Sequence, residues 1–248
     1  GRHEYLYFVG CMGSYDPRCQ RVTVALAELL SKLGVSFGVL EDENCCGNEV
    51  SRLGEKGLFE LLAKKNIEQF KNFHVKKIVT LCPHAYYTIK NEYPKFGGEF
   101  EVQHYTQLIH NYMKCEKFDI TRNRVDEVDV TVTYHDSCFL GRRSKEYEIT
   151  RKILEKVPGV KFIEMKRIKE NSLCCGGGGG NFYTGFLSTG ENSPARLRVK
   201  EAYKTGAKVL ITVCPICLTM LEDAIKTENL EDKLIVKDLS EFLNERAK

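Results

Sequence analysis

Three cysteine landmarks recur along this chain at almost constant separation, and a repeat of that kind limits the possible architectures more than any single motif does. Cys11 returns at Cys138, the adjacent pair Cys45-Cys46 at Cys174-Cys175, and Cys82 at Cys214. The surroundings return with them. YFVGC answers to TYHDSC, NCCGN to LCCGG, KKIVTLCPHAYYTI to AKVLITVCPICLTM, and FEVQHYTQLIHNY to LIVKDLSEFLNER. The chain reads as two related halves.

Each half carries the same coarse order, strand and helix alternating four times. In the first half the strands are expected near Tyr5–Val9, Ser36–Leu40, Lys77–Leu81 and Phe100–Gln103, with helices such as Arg21–Leu33 and Leu58–Phe70. In the second half they fall near Val130–Tyr134, Lys161–Glu164, Lys208–Val213 and Leu234–Val236. Helices are expected there near Lys145–Lys156, Ala195–Thr205, Ile216–Lys226 and Leu239–Glu245, with Ser193-Pro194 as an N-cap followed by proline at the first helical position. Short β-branched runs alternating with helices imply parallel sheets covered on both faces. The expected fold class is α/β: two similar tandem domains, each a small parallel sheet with flanking helices, related by internal duplication. The domains are read as about 1–120 and 125–248, joined by the aperiodic charged stretch Lys114–Asp129.

A chain of 248 residues with 42% hydrophobic content can give each half a core, and its net charge of +3 with both signs interleaved does not favour a nucleic-acid partner. No apolar run approaches the roughly 20 residues of a membrane helix, and no signal peptide is apparent. A cytoplasmic location is expected, with docking on a membrane subunit left open. The start at Gly1, running almost at once into a strand, is consistent with a piece of a longer polypeptide.

Eleven cysteines exceed what packing needs, and in a reduced compartment they favour metal or redox chemistry over disulfides. Cys11, Cys82, Cys138 and Cys214 each stand where a predicted strand ends, the place where open parallel sheets bind ligands. The adjacent pairs can aim both thiols at one object only if the backbone turns sharply, and Gly47 and Gly176 permit that turn. In the second half five thiols converge: Cys138, Cys174, Cys175, Cys214 and Cys217. A zinc ion takes about four ligands, so five thiolates point to an iron–sulfur cluster. The glycine run after Cys175, Gly177 and Gly178 above all, then lets bare backbone approach the cluster and offer N–H donors. A flexible linker is the competing explanation.

CCGN with CPHA, and CCGG with CPIC, each preceded by a lone cysteine, resemble the duplicated cysteine-rich CCG domain of the heterodisulfide reductase catalytic-subunit family. The resemblance covers essentially the whole chain. It implies a non-cubane iron–sulfur cluster on the five cysteines of a complete motif, here Cys138, Cys174, Cys175, Cys214 and Cys217. It also implies other redox subunits as partners, such as a ferredoxin-like domain, a flavin subunit or a membrane haem subunit, and a small thiol or disulfide as substrate.

The first half departs from that pattern, because Ala85 stands where Cys217 stands in the second. Cys11, Cys45, Cys46 and Cys82 remain, enough for a [4Fe-4S] cubane or for zinc, with an empty site as the third alternative. His84 is a possible substitute ligand, displaced by one residue. Three functions follow: an oxidoreductase subunit passing electrons to a thiol or disulfide at the C-terminal cluster, a pure electron relay in a dehydrogenase or quinone-linked complex, and a metal-stabilised assembly module. His135 is a candidate donor to a cluster sulfide or a proton source near neutral pH, set against an ordinary hydrogen-bonded strand-end histidine. Arg142, Arg143 and Lys145 suit an anionic substrate or acidic redox partner, or form a solvated helix start. Cys19 and Cys115 have no counterpart in the repeat. The run of glycines follows cysteines rather than opening a nucleotide site, so flavin or nicotinamide chemistry is expected from another subunit.

Overall fold

The computed structural model describes residues 3–115, 130–185 and 190–247. Its strands are β1 (Tyr5–Phe8), β2 (Phe37–Gly38), β3 (Lys77–Thr80) and β4 (Glu101–His104), then β5 (Val130–Tyr134), β6 (Val160–Phe162), β7 (Val209–Thr212) and β8 (Ile235–Asp238). They form two parallel sheets, ordered β2-β1-β3-β4 and β6-β5-β7-β8, so the duplication read from the cysteines holds in the strand order too. Central strands β1 and β7 are buried at every residue, as strands covered on both faces must be. Edge strands β4 and β8 share one alternating pattern of exposed and buried residues.

The helices are α1 (Gly10–Tyr15), α2 (Pro17–Lys32), α3 (Asn48–Arg52), α4 (Lys56–Asn72), α5 (Pro83–Asn91), α6 (Tyr105–Lys114), α7 (Ile149–Leu154), α8 (Asn181–Thr184), α9 (Pro194–Tyr203), α10 (Pro215–Thr227) and α11 (Leu239–Asn244). Prolines at the first helical position start α2, α5, α9 and α10, where the missing N–H has no intrahelical role. Because Pro83 and Pro215 directly follow Cys82 and Cys214, those cysteines become the N-caps at the strand–helix turn.

Several expected elements shift. The strand at Ser36–Leu40 contracts to β2, and the helix expected from Lys145 starts only at Ile149. Before it, Phe139–Arg143 forms a wide π-type turn and Lys145 takes a left-handed conformation, φ 60°. Strands β4 and β8 run on to His104 and Asp238, whose side chains cap α6 and α11 through reciprocal capping boxes with Gln107 and Glu241. Of the expected linker, Lys114 ends α6, while residues 116–129, and the domain boundaries placed there, lie outside the described residues.

The halves are joined by an exchange of equivalent surfaces. Helix α2 packs on α11, and α6 packs on α7, so in each direction the helix beside the first strand of one half meets the last helix of the other. Leu26, Leu29 and Leu30 share one core with Leu239, Phe242 and Leu243, as do Leu108 and Ile109 with Ile153 and Leu154. Burial of such apolar surface is the main force holding the halves together. Polar contacts fix the register. Arg18 grips Glu241 with two N–H donors at 2.6 and 2.8 Å and donates from Nε to Glu222 at 2.6 Å. Cys19, unplaced by the repeat, is buried at this seam with Sγ 3.6 Å from the Pro215 carbonyl and from Thr219 Oγ1.

At the centre of the seam Tyr105 Oη donates to Asp238 Oδ1 at 2.7 Å, and the Ser240 N–H and hydroxyl donate to the same oxygen. Burial lifts the Asp238 carboxyl to about 7 from its ordinary 3.8. The folded state therefore holds this proton to higher pH than the unfolded state. Its contribution to stability is complete below the ordinary value and is lost as pH rises from about 4 through about 7. Asp238→Asn should flatten that part of the stability–pH profile, measured by urea unfolding on both sides of the window. A variant with the parent's slope would show that Asp238 is not the titrating group.

Candidate metal centres between the halves

The C-terminal site is assembled from three chain segments. Cys138 ends the stretch after β5 and caps the wide turn, Cys174 and Cys175 lie in the loop before Gly176, and Cys214 and Cys217 sit at the cap and first turn of α10. Cys138 Sγ lies 3.8 Å from Cys174 Sγ, and hydrogen-bond contacts run on from Cys174 to Cys175, to Cys217 and to Cys214. All five sulfurs thus belong to one continuous chain of contacts.

Charge cannot be spread evenly along that chain. Cys138 is pushed up by Cys174 and by burial, Cys175 by Cys174, and Cys217 by Cys175 and Cys214. Cys174 is held far below the usual thiol range by donors Cys138 and Cys175. Burial opposes ionisation of Cys214, yet hydrogen bonds from Cys217 and His84 hold it well below that range. Burial and mutual repulsion oppose ionising the five sulfurs together, and a cationic centre among them would remove that opposition. This donor set fits a multi-metal cluster.

In the N-terminal site Cys11 lies on α1, Cys45 and Cys46 precede Gly47, and Cys82 caps α5. Contacts link Cys11 to Cys45 and Cys45 to Cys46. Cys82 Sγ faces His84 Nδ1 at 3.7 Å. Ala85 is 1% exposed, so the place of the absent fifth thiol lies inside the protein. His84 stands between the two sites, since the same Nδ1 is 3.9 Å from Cys214 Sγ. Burial disfavours its charged form, but Cys214 and Cys82 together hold its pKa well above the usual histidine value.

Each site also receives a residue from the opposite half. His84 reaches Cys214, and Tyr183 Oη lies 3.8 Å from Cys11 Sγ and donates to Met12 Sδ at 3.5 Å. Glu49 accepts from the Gly180 N–H and lies 3.8 Å from His84 Nε2. Asn66 donates to the Cys45 carbonyl at 2.9 Å and Tyr93 Oη to the Cys46 carbonyl at 3.1 Å, fixing the double-cysteine turn. Apart from His84, two residues after Cys82, none of these residues carries a spacing signal that links it to the cysteines in sequence. Cys115 is exposed and outside both sites.

His135 is fully buried, within 4.8 Å of Cys175 and Cys217 by its ligand atoms. Burial and then the Arg198 charge push its pKa down to about 3. Arg198 Nε donates to Nδ1 at 3.2 Å, which leaves the ring hydrogen on Nε2. The side chain is therefore neutral, with its Nε2 buried and without a partner among the described residues, and a proton supplied from a charged His135 near neutral pH does not fit this environment.

The two sites share one backbone device. Gly47 and Gly176 have φ of 81° and 83°, and their N–H groups point back at Cys45 Sγ and Cys174 Sγ at 3.4 and 3.3 Å. Gly177 N–H points at Cys175 Sγ at 3.5 Å. The glycine run is wedged, not slack. A Cβ on Gly177 would meet Ile216 Cγ2 at 2.6 Å, one on Gly178 would meet His84 Nε2 at 3.3 Å, and one on Gly180 would meet Leu53 Cδ2 at 2.6 Å. Those contacts argue against a flexible linker.

Two parallel sheets with paired thiol clusters at their helix-capping ends define a duplicated cysteine-rich α/β protein. The cysteine-rich domain family CCG matches residues 5–90 and 132–222, and the chain belongs to that family. It is 42% identical over 97% of its length to a probable iron-sulfur-binding oxidoreductase, FadF, of Bacillus subtilis (strain 168), covering 33% of that protein. It is 39% identical over 97% of its length to an EtfAB:quinone oxidoreductase of Syntrophomonas wolfei, covering 34% of it. It is 35% identical over 98% of its length to one of the dihydromethanophenazine:CoB--CoM heterodisulfide reductase subunits of Methanosarcina mazei, covering 58% of that polypeptide. The chain thus spans between a third and three fifths of these relatives.

Gly177→Val is expected to destabilise the protein by about 1–3 kcal/mol through overpacking against Ile216 and Met220. Differential scanning calorimetry should show a Tm several degrees lower. An unchanged Tm would mean that the loop is free to move away, as a linker is.

Proposed function

We propose that the chain is the iron–sulfur redox portion of a multi-subunit oxidoreductase, heterodisulfide-reductase-like in organisation, with its chemistry at the C-terminal site. The observation that carries this reading is the unbroken run of contacts through Cys138, Cys174, Cys175, Cys217 and Cys214. Those five residues would hold a non-cubane cluster, which when bound passes single electrons and offers a place for a substrate sulfur. Cys11, Cys45, Cys46 and Cys82 would hold the second group, a [4Fe-4S] cubane or zinc. The units are taken as 1–120 and 125–248.

The protein's own groups do the rest. The Gly176 and Gly177 N–H donors favour negative charge on the sulfurs of Cys174 and Cys175, and Ser137 Oγ, 3.8 Å from Cys217 Sγ, adds a donor on the other side. His84 contacts a cysteine sulfur of each site and lies on the path between them. A cavity of about 380 Å³ opens on Cys138 and Cys174, a size within the range of small-ligand pockets. It favours a substrate role, with a small thiol or disulfide reaching this side of the site, over a relay alone.

A relay role is the second reading, favoured by the quinone oxidoreductase named among the relatives, of which this chain matches only part. Electrons would then come from, or go to, a ferredoxin-like domain, a flavin subunit or a membrane haem subunit. No helix among the described residues is long and apolar enough to cross a membrane.

Anaerobic reconstitution of the full chain, followed by iron, zinc and acid-labile sulfide assays, tests the proposal. Iron with sulfide is expected, and Cys217→Ser should lose the larger share of both. Ala85→Cys should gain iron or bring the N-terminal spectrum towards that of the C-terminal site. Zinc alone without sulfide would overturn the proposal. Two spectroscopically equivalent non-cubane clusters in the parent would overturn the proposed asymmetry.

A further inference from the structure

The cavity beside Cys138 and Cys174 is rimmed by Arg52 from the N-terminal half and by Arg142 and Arg143 from the C-terminal half, with Phe139 as its apolar wall. No carboxylate is among the residues that line it. Arg52 and Arg143 lie over the same two rings, 5.9 and 5.7 Å from the centre of Phe139 and 5.9 and 6.0 Å from that of Tyr87. Cation–π contact favours each guanidinium separately but leaves their mutual repulsion in place.

The three arginines are unequally satisfied. Arg52 is paired through one terminal nitrogen with Glu92, yet its buried Nε has no partner among the described residues. Arg142 donates to the Ser172 carbonyl at 2.7 Å and meets no carboxylate among the described residues. Arg143 is exposed and meets no carboxylate among the described residues. A guanidinium held by ring stacking, beside a second with an unused donor, suits bidentate capture of a planar or tetrahedral oxyanion.

We infer that this cavity is an oxyanion subsite, built by both halves, that takes the charged tail of a small thiol or disulfide while its sulfur reaches the side of Cys138 and Cys174. The assignment rests on the proposed substrate role of the C-terminal site and adds the charge class of the ligand. Arg143 is the principal determinant, because it is exposed and meets neither a carboxylate nor a carbonyl among the described residues. Arg142 supplies a second donor, and Arg52 carries the recognition across the seam. A ligand so held bridges the halves on the face where Gly178 meets His84.

The test uses the anaerobically reconstituted full chain and two small thiols, mercaptoacetate and mercaptoethanol, the first with a carboxylate and the second with a hydroxyl. Binding is measured by isothermal titration calorimetry at low and high salt while the visible absorption of the cluster is followed. Mercaptoacetate is expected to bind at least about tenfold more tightly, with the preference shrinking as salt screens the charges. Arg143→Gln should abolish most of the preference, and Arg143→Lys should keep part of it; the side chain is exposed, so neither change removes core packing. Equal affinities, a preference untouched by Arg143→Gln, or no binding of either thiol would overturn the subsite. An Arg143-dependent preference without spectral change would support the subsite and remove the thiol chemistry of the C-terminal site. Equal binding of both thiols with a spectral change would do the reverse.

Discussion

Each thiolate in a crowded, buried group of thiols raises the free energy of the next, and the five sulfurs of the C-terminal site are packed so that this repulsion has no internal remedy. Cys174 and Cys214 are the ones favoured towards the thiolate, by donors that include neighbouring cysteines, the Gly176 N–H and His84. A cationic centre among the sulfurs would remove the repulsion that remains. Much of the surrounding architecture serves to keep the sulfurs in that unfavourable proximity: proline-started helices that aim Cys82 and Cys214 off their strands, left-handed glycines that turn both thiols of a pair inward, and a wedged glycine run that seals one wall.

The duplication explains why there are two such places, and the packing between halves explains why they are not independent. Because α2 pairs with α11 as α6 pairs with α7, equivalent faces of the halves are turned towards one another. Tyr183 then reaches Cys11 and His84 reaches Cys214, each across the seam. The half that lacks a fifth cysteine supplies a histidine one residue earlier, and that imidazole serves both sites. Asymmetry in the cysteine count is thereby converted into a physical link between the sites.

How far the sequence revealed this depended on the distance over which each signal acts. The repeat, the parallel sheets and the grouping of Cys138, Cys174, Cys175, Cys214 and Cys217 were legible because strand periodicity and the strand–Cys-Pro–helix turn are local. Helices α1, α3 and α8 were not, since each is short and sits in the loops around the cysteines, where no apolar period stands out. The roles of Glu49, Tyr183 and Arg52, and the reach of His84 to Cys214, were hidden for a different reason. Their partners lie in the other half of the chain, and nothing in the spacing of one half reports the shape of the other. The glycine run was expected to approach a cluster; the closest neighbours of the added side-chain positions are Ile216, Met220 and Leu53, a packing requirement that composition does not reveal.

The grip of Arg18 on Glu241 joins residues separated by 223 positions, and Lys32 reaches the Ala247 carbonyl across 215. Helix α2 cannot cover its apolar face with its native partner until α11 has been synthesised. Contacts of such long sequence separation slow folding, because a large loop must close before they form. During translation the first half would emerge with Leu26, Leu29 and Leu30 uncovered and its thiols open to solvent, a state that invites chaperone binding.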